Sequence, residues 1–149
     1  MGVQYVYAES SLRLVNETAR LVSPVYPPDK SLRSCLKFAF HLHGADMGSL
    51  EVGQQDEQDD TDMKVLGKLS GNYQDDWQIF LVDLIPVNKT FQLYLEASVG
   101  RSYLSDIAVD DLELLQDISE YSCKISFLKK NSPFSKFLRV FSIFHQNNV

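Results

Sequence analysis

Apolar and polar residues alternate with a period of two through much of residues 1–123, and helical periodicity is nearly absent there. Successive side chains of a strand point to opposite faces, so this pattern predicts half-buried β-strands. The clearest case spans 36–43. Leu36, Phe38, Phe40 and Leu42 fall on one side, and Lys37, Ala39, His41 and His43 on the other. Phe91, Leu93, Leu95 and Ala97 alternate in the same way with Gln92, Tyr94 and Glu96. Further strands are predicted at Val3, Tyr5 and Tyr7, at 19–22, from Leu50 and Val52, and over 64–69, 77–84 and 103–115. Ser23-Pro24, Pro27-Pro28, the Gly44 to Gly48 turn and Gly71-Asn72 punctuate them. Residues 54–62 contain no apolar side chain and read as an exposed acidic loop. Seven or eight strands with no helix between them predict an all-β sandwich.

The last predicted strand breaks phase. Ile107 and Val109 share one parity, and Leu112 and Leu114 share the other. Both pairs reach one core only if an extra residue intervenes, which predicts a β-bulge at Asp110-Asp111.

Charge divides the chain. Residues 1–123 hold all 20 Asp and Glu but only nine of the 14 Lys and Arg, a net charge of −11. The last 26 residues hold five Lys/Arg and no acid. A body so acidic repels nucleic acid, whose binding rests on cations facing phosphates, so nucleic acid is not an expected partner. The boundary expected from this switch separates a domain at 1–123 from a basic, aromatic tail at 124–149. In the tail, Ser132 and Pro133 can open a short helix that places Phe134, Phe137, Phe141 and Phe144 on one face. An unrelated, irregular or short helical segment and an interfacial membrane helix both fit that pattern.

Two cysteines and two glycosylation sequons, at Asn16 and Asn88, lean towards an oxidising, secreted setting. Against this, MGVQYVYAESS has no apolar run of the kind a leader needs, so no signal peptide is expected. No stretch of 18 apolar residues predicts a membrane span. The chain therefore reads as unexported, or as a fragment or isoform of an exported protein. Membrane contact would come only through a parent protein or the tail.

Catalytic motifs are missing. There is no G-x-S-x-G elbow, no H-E-x-x-H and no phosphate-binding glycine loop, so the chain is not expected to be an enzyme. His41 and His43 resemble half a metal site, but no third ligand is evident, and an exposed polar face packed against a neighbouring loop is the plain explanation. Asp56, Asp59, Asp60 and Asp62 lack the glycine and terminal glutamate of a calcium loop. Asp106, Asp110 and Asp111 offer carboxylates for a cation or for strand-end hydrogen bonds.

Several segments, in order, resemble the MAM domain, an extracellular module of receptor phosphatases, meprins and neuropilins. They are Ala19-Arg20-Leu21-Val22-Ser23-Pro24, the run from Cys35 to Gly44, then Asp46, Gly48 and Leu50. Leu69-Ser70-Gly71-Asn72 with Trp77 follow, then Leu95-Glu96 with Gly100, and finally Asp106 to Leu112. Cys123 stands where the domain's final cysteine falls. The resemblance covers 2–123 and implies a jelly-roll-like sandwich of two antiparallel sheets. It implies a Cys35–Cys123 disulfide, the alternative being two free buried thiols. It also implies a structural Ca²⁺ or other cation site with Asp111, then Asp110, as ligands. The pattern enters at Gly2 to Glu9, without the family's first two cysteines, so an N-terminally truncated copy is expected. The implied function is non-catalytic adhesion or protein–protein contact at the cell surface, including homophilic contact. A carbohydrate-binding jelly roll, with Trp77 and Tyr94 as platforms, is the alternative, as is a truncated isoform without a function of its own.

Overall fold

The computed structural model describes residues 5–8, 13–73, 75–101, 107–118, 123 and 126–129. Among them are nine strands: β1 (Val6–Ala8), β2 (Thr18–Val22), β3 (Cys35–Leu42), β4 (Ser49–Asp56), β5 (Met63–Ser70), β6 (Gln78–Asp83), β7 (Phe91–Ser98), β8 (Ile107–Leu115) and β9 (Ser126–Lys129). They form a five-stranded sheet in the order β1-β8-β3-β6-β9 and a four-stranded sheet in the order β2-β7-β4-β5. Every pairing is antiparallel. The expected sandwich of two antiparallel sheets is thus present.

The alternation read from the sequence builds its core. Leu36, Phe38, Phe40 and Leu42 on β3 meet Leu50 and Val52 on β4 and Leu93 and Leu95 on β7, all at or below 4% exposure. Phe38 and Phe80 stand 5.4 Å apart between ring centroids, on the neighbouring strands β3 and β6. Aromatic pairs at this spacing add to the gain from burying their surface.

The predicted bulge lies where the phase breaks. Lys37 pairs with Glu113 and Ala39 with Asp110, so β8 carries one residue more than β3 across that step. Asp111 has a φ of 51°, the left-handed conformation that such a step uses and that Asp tolerates better than most residues. Ile107 and Val109 enter the core before the bulge, and Leu112 and Leu114 pack against it afterwards.

Two expectations change. The loop expected at 54–62 begins only after Asp56, because β4 continues through Gln54 and Gln55. Gln54 is buried by satisfying both backbone groups of Ile85: its Nε2 donates to the carbonyl at 3.0 Å and its Oε1 accepts from the amide at 3.1 Å. Residues 28–31, expected as loop, form one 3-10 turn in which the Ser31 hydroxyl donates to the Pro28 carbonyl and accepts from the Val87 amide. Beyond residue 123, β9 pairs with β6 over Gln78 to Leu81. The helical pattern at 132–144, with Val3 and residues 103–106, lies outside the described residues.

Candidate functional site

The outward side of the five-stranded sheet carries the most distinctive surface. Tyr7 on β1 stands opposite Ala108 on β8, and Ala108 stands opposite His41 on β3. Trp77 immediately precedes β6, one position beyond the Phe40–Gln78 pair, and so completes that row. Five rings from distant parts of the chain gather along and beside this row. Tyr5 and Trp77 meet nearly edge-on, 5.7 Å apart and 69° between planes. Tyr5 and Tyr7 are 6.2 Å apart. His41 lies 5.7 Å from Trp77 and 6.2 Å from His43. Tyr5 and Tyr7 remain 52% and 48% exposed, which is unusual for side chains of this size on a sheet.

Polar contacts fix the histidines. His41 Nε2 hydrogen-bonds to Asp75 Oδ1 at 3.0 Å, and His43 Nδ1 meets the Tyr73 carbonyl at 3.2 Å. Both partners lie in the loop between β5 and β6, so the pair secures that loop against β3. Among the described residues, neither ring hydrogen-bonds to a serine or cysteine.

Cys35 and Cys123 are joined by a disulfide, with Cα atoms 6.2 Å apart and almost no exposure. Cys35 shares the parity of Lys37 and His41, so the bridge ties residue 123 across the outward side of β3. Asp83 lies close enough to both sulfurs to suggest three metal ligands. Bridged sulfurs are not thiolates, however, and thiolate is the form that binds metal.

Asp110 and Asp111, the carboxylates expected for a cation, stand at the β8 bulge. Asp110 Oδ1 accepts a hydrogen bond from the Asp111 amide at 2.8 Å, the local bond that suits the bulge. Among the described residues, no group of three His, Cys, Asp or Glu side chains gathers around either carboxylate. Asp106 lies outside those residues.

The acidic loop is organised internally. Asp56 accepts from the Gln58 amide and pairs with Lys89 Nζ at 2.9 Å, and these partners hold its carboxyl below the usual range. Asp59 accepts from Thr61, which lowers its pKa in turn. Lys89 is pushed up by its bond to Asp56. The loop borders a cleft of about 410 Å³ whose rim includes Asn88. Asn88 is exposed between β6 and β7, and Asn16 is exposed in the turn before β2 with a φ of 68°.

A model of the family described as MAM domain, meprin/A5/mu, matches residues 2–124. The chain belongs to the MAM domain family. It is 32% identical over 120 residues to neuropilin-1 of Xenopus laevis, and 34% identical over 122 residues to neuropilin-1a of Danio rerio. Each match takes in 80% of this chain and 13% of the relative. A third relative is MAM domain-containing glycosylphosphatidylinositol anchor protein 1 of Rattus norvegicus, 35% identical over 111 residues, 74% of this chain and 11% of that protein. The chain thus spans about an eighth or less of the length of these relatives.

In this MAM domain, Trp77 and His41 lie together on the outward aromatic face, whereas Tyr94 does not serve as a platform. Tyr94 is only 1% exposed. The Arg20 guanidinium covers its ring at 4.6 Å, and its hydroxyl donates to Glu51 at 3.0 Å. Arg20 is itself clamped by Glu96 at 2.7 Å. In the sequence Tyr5 and Tyr7 read only as strand residues. Their exposure leaves no local trace because β1 is an edge strand, and edge position is set by partners far away in sequence.

Proposed function

We propose that this MAM domain is a non-catalytic, extracellular module that binds protein at the cell surface. The observation that carries the reading is the cluster of half-exposed Tyr5 and Tyr7 with the partly buried Trp77, on a sheet held by a disulfide. Exposed tyrosine and tryptophan are the residue types most enriched at the energetic centres of protein interfaces. The Cys35–Cys123 bridge suits an oxidising compartment. Asn16 and Asn88 are exposed and open to glycosylation, and both stand in loops outside β1, β3 and β8. No helix among the described residues is long and apolar enough to cross a membrane.

The reading is tested by coating beads with the oxidised chain and measuring adhesion to cells before and after mild trypsin treatment. Adhesion lost after trypsin and unaffected by glycosidases supports a protein ligand. Trypsin-resistant adhesion, or specific signals on a glycan array, would replace it with the carbohydrate-binding alternative.

A further inference from the structure

We infer that the outward face of the five-stranded sheet takes up a basic segment of a partner protein, with an arginine or lysine side chain laid against Tyr5, Tyr7 and Trp77 and its charge met by Asp75. This deepens the interaction-module reading and rests on it.

Three observations select this occupant. The first is ring geometry. Tyr5 makes angles of 69° with Trp77 and 56° with Tyr7, so the rings line a corner and do not bury one another in a stack. A cation within about 6 Å of such ring faces is attracted by their quadrupoles. The second is the acid beside them. Asp75 is 73% exposed at its side chain and, among the described residues, is engaged through Oδ1 by His41. Asp76 follows it and is exposed. The third is the scarcity of competing cations. Across β1, β3, β6 and β8 the one Lys or Arg is Lys37, already 3.2 Å from Glu113, and the sheet's other lysine, Lys129, ends its edge strand β9.

The same charge pattern argues against other occupants. The acidic body of a second copy, residues 1–123 at net −11, would be repelled from an acidic face, and a polyanion would be repelled outright. An apolar ligand would gain from the rings but leave Asp75 and Asp76 unmatched.

Trp77 is the single tryptophan, so its emission reports on this face. The test titrates the intact, oxidised chain with an acetylated, amidated nonapeptide of alternating Arg and Gly, against Lys/Gly and Glu/Gly versions. A saturable change in Trp77 emission is expected with the Arg peptide, weaker with Lys and missing with Glu. Tyr5→Leu keeps apolar bulk but removes a ring face and is expected to weaken binding about threefold. Asp75→Asn weakens it further, while Asp60→Asn in the acidic loop leaves it unchanged. Near-UV circular dichroism confirms that each variant is folded.

Equal loss in Asp60→Asn would show diffuse attraction and overturn the inference, as would unaltered affinity in both Tyr5→Leu and Asp75→Asn. Residues 130–149 contain Lys130, Lys136, Arg139 and no acid, and β9 ends with Lys129 opposite Gln78, beside Trp77. If the Arg peptide binds only after Lys130, Lys136 and Arg139 are changed to Glu, the occupant is the chain's own segment and a partner in trans is overturned. Bead adhesion separates this inference from the wider reading. Beads bearing Asp75→Asn that adhere as well as wild type sink the proposed face and leave protein binding intact.

Discussion

The ring of Tyr94 lies across the backbone of Gly53, its partner on the neighbouring strand, so closely that a side chain at residue 53 would overlap the ring carbons. Arg20 above the ring and Glu51 at its hydroxyl leave it little freedom to move. Gly53→Ala is therefore expected to destabilise the domain by about 1–3 kcal/mol, the usual range for overpacking a close contact. Most of that cost should vanish in a Tyr94→Ala background. Urea titrations of the two single variants and the double variant measure this, and an equal cost in both backgrounds would refute it.

Tyr94 also sets an alkaline limit. Burial first, then the bond to Glu51, pushes its pKa up to about 12. An unfolded tyrosine ionises near pH 10. The folded state favours the neutral phenol, so this contribution is intact below about pH 10 and is lost as pH rises through the folded value. Tyr94→Phe should flatten the stability profile in that window, at the cost of leaving Glu51 without its donor.

Gln54 behaves as a side chain standing in for a strand partner. Gln54→Leu matches it in size but strands the amide and carbonyl of Ile85. A loss of about 1–3 kcal/mol is expected, because two backbone groups lose their partner in a partly buried site. Faster hydrogen exchange at the Ile85 amide would accompany it. Unchanged exchange there would show that another group replaces the glutamine.

The acidic loop should respond to acid. Asp56 and Asp59 are lowered by their hydrogen bonds, and for Asp56 by Lys89 as well. A lowered carboxyl contributes stability above its unfolded pKa of about 4 and loses it as pH falls through the folded value. Lys89, raised by Asp56, contributes below its unfolded pKa and loses that only in strong alkali. Trypsin cleavage after Lys64 or Lys89, assayed after incubation at graded pH with quenching and brief digestion at pH 8, should rise only if acid opens the loop irreversibly. Direct NMR titration of Asp56 and Asp59 is the sharper check, and midpoints at or above the free carboxylate value would contradict the assignment.

The disulfide closes a separation of 88 residues. In the chain-entropy picture, a bridge of that span stabilises by about 4–5 kcal/mol. Cys35→Ala with Cys123→Ala should lower the midpoint of thermal unfolding by roughly 15 °C or more, since each kcal/mol shifts a domain of this size by a few degrees. A drop of only a few degrees would mean that the remaining contacts already restrict the unfolded chain.

Legibility in the sequence followed hydrophobic parity. The β3 and β7 faces, and the bulge at Asp110-Asp111, were readable because a slip of one residue changes which side chains reach the core. The same signal fails where burial is polar. Gln54 and Gln55 looked like loop because their burial rests on hydrogen bonds, which leave no apolar trace. Tyr94 looked like an outward platform, since alternation tells inward from outward but not covered from bare. Its cover comes from Arg20 and its fit from Gly53, residues 74 and 41 positions away along the chain. The aromatic face is invisible along the chain for the same reason: Tyr5, His41 and Trp77 become neighbours only once β1, β8, β3 and β6 are in order.

The bridge also gives the domain a direction in which it resists load. Tension applied downstream of Lys129 would first unzip β9, a four-residue edge strand paired on one side only. Peeling would then stop at residue 123, where the pull passes through a covalent link to β3, the middle strand of its sheet. From there it is shared with β6 and β8 across both ladders. A domain wired in this way yields a short length of chain under force and then holds, which suits contact between surfaces that move apart.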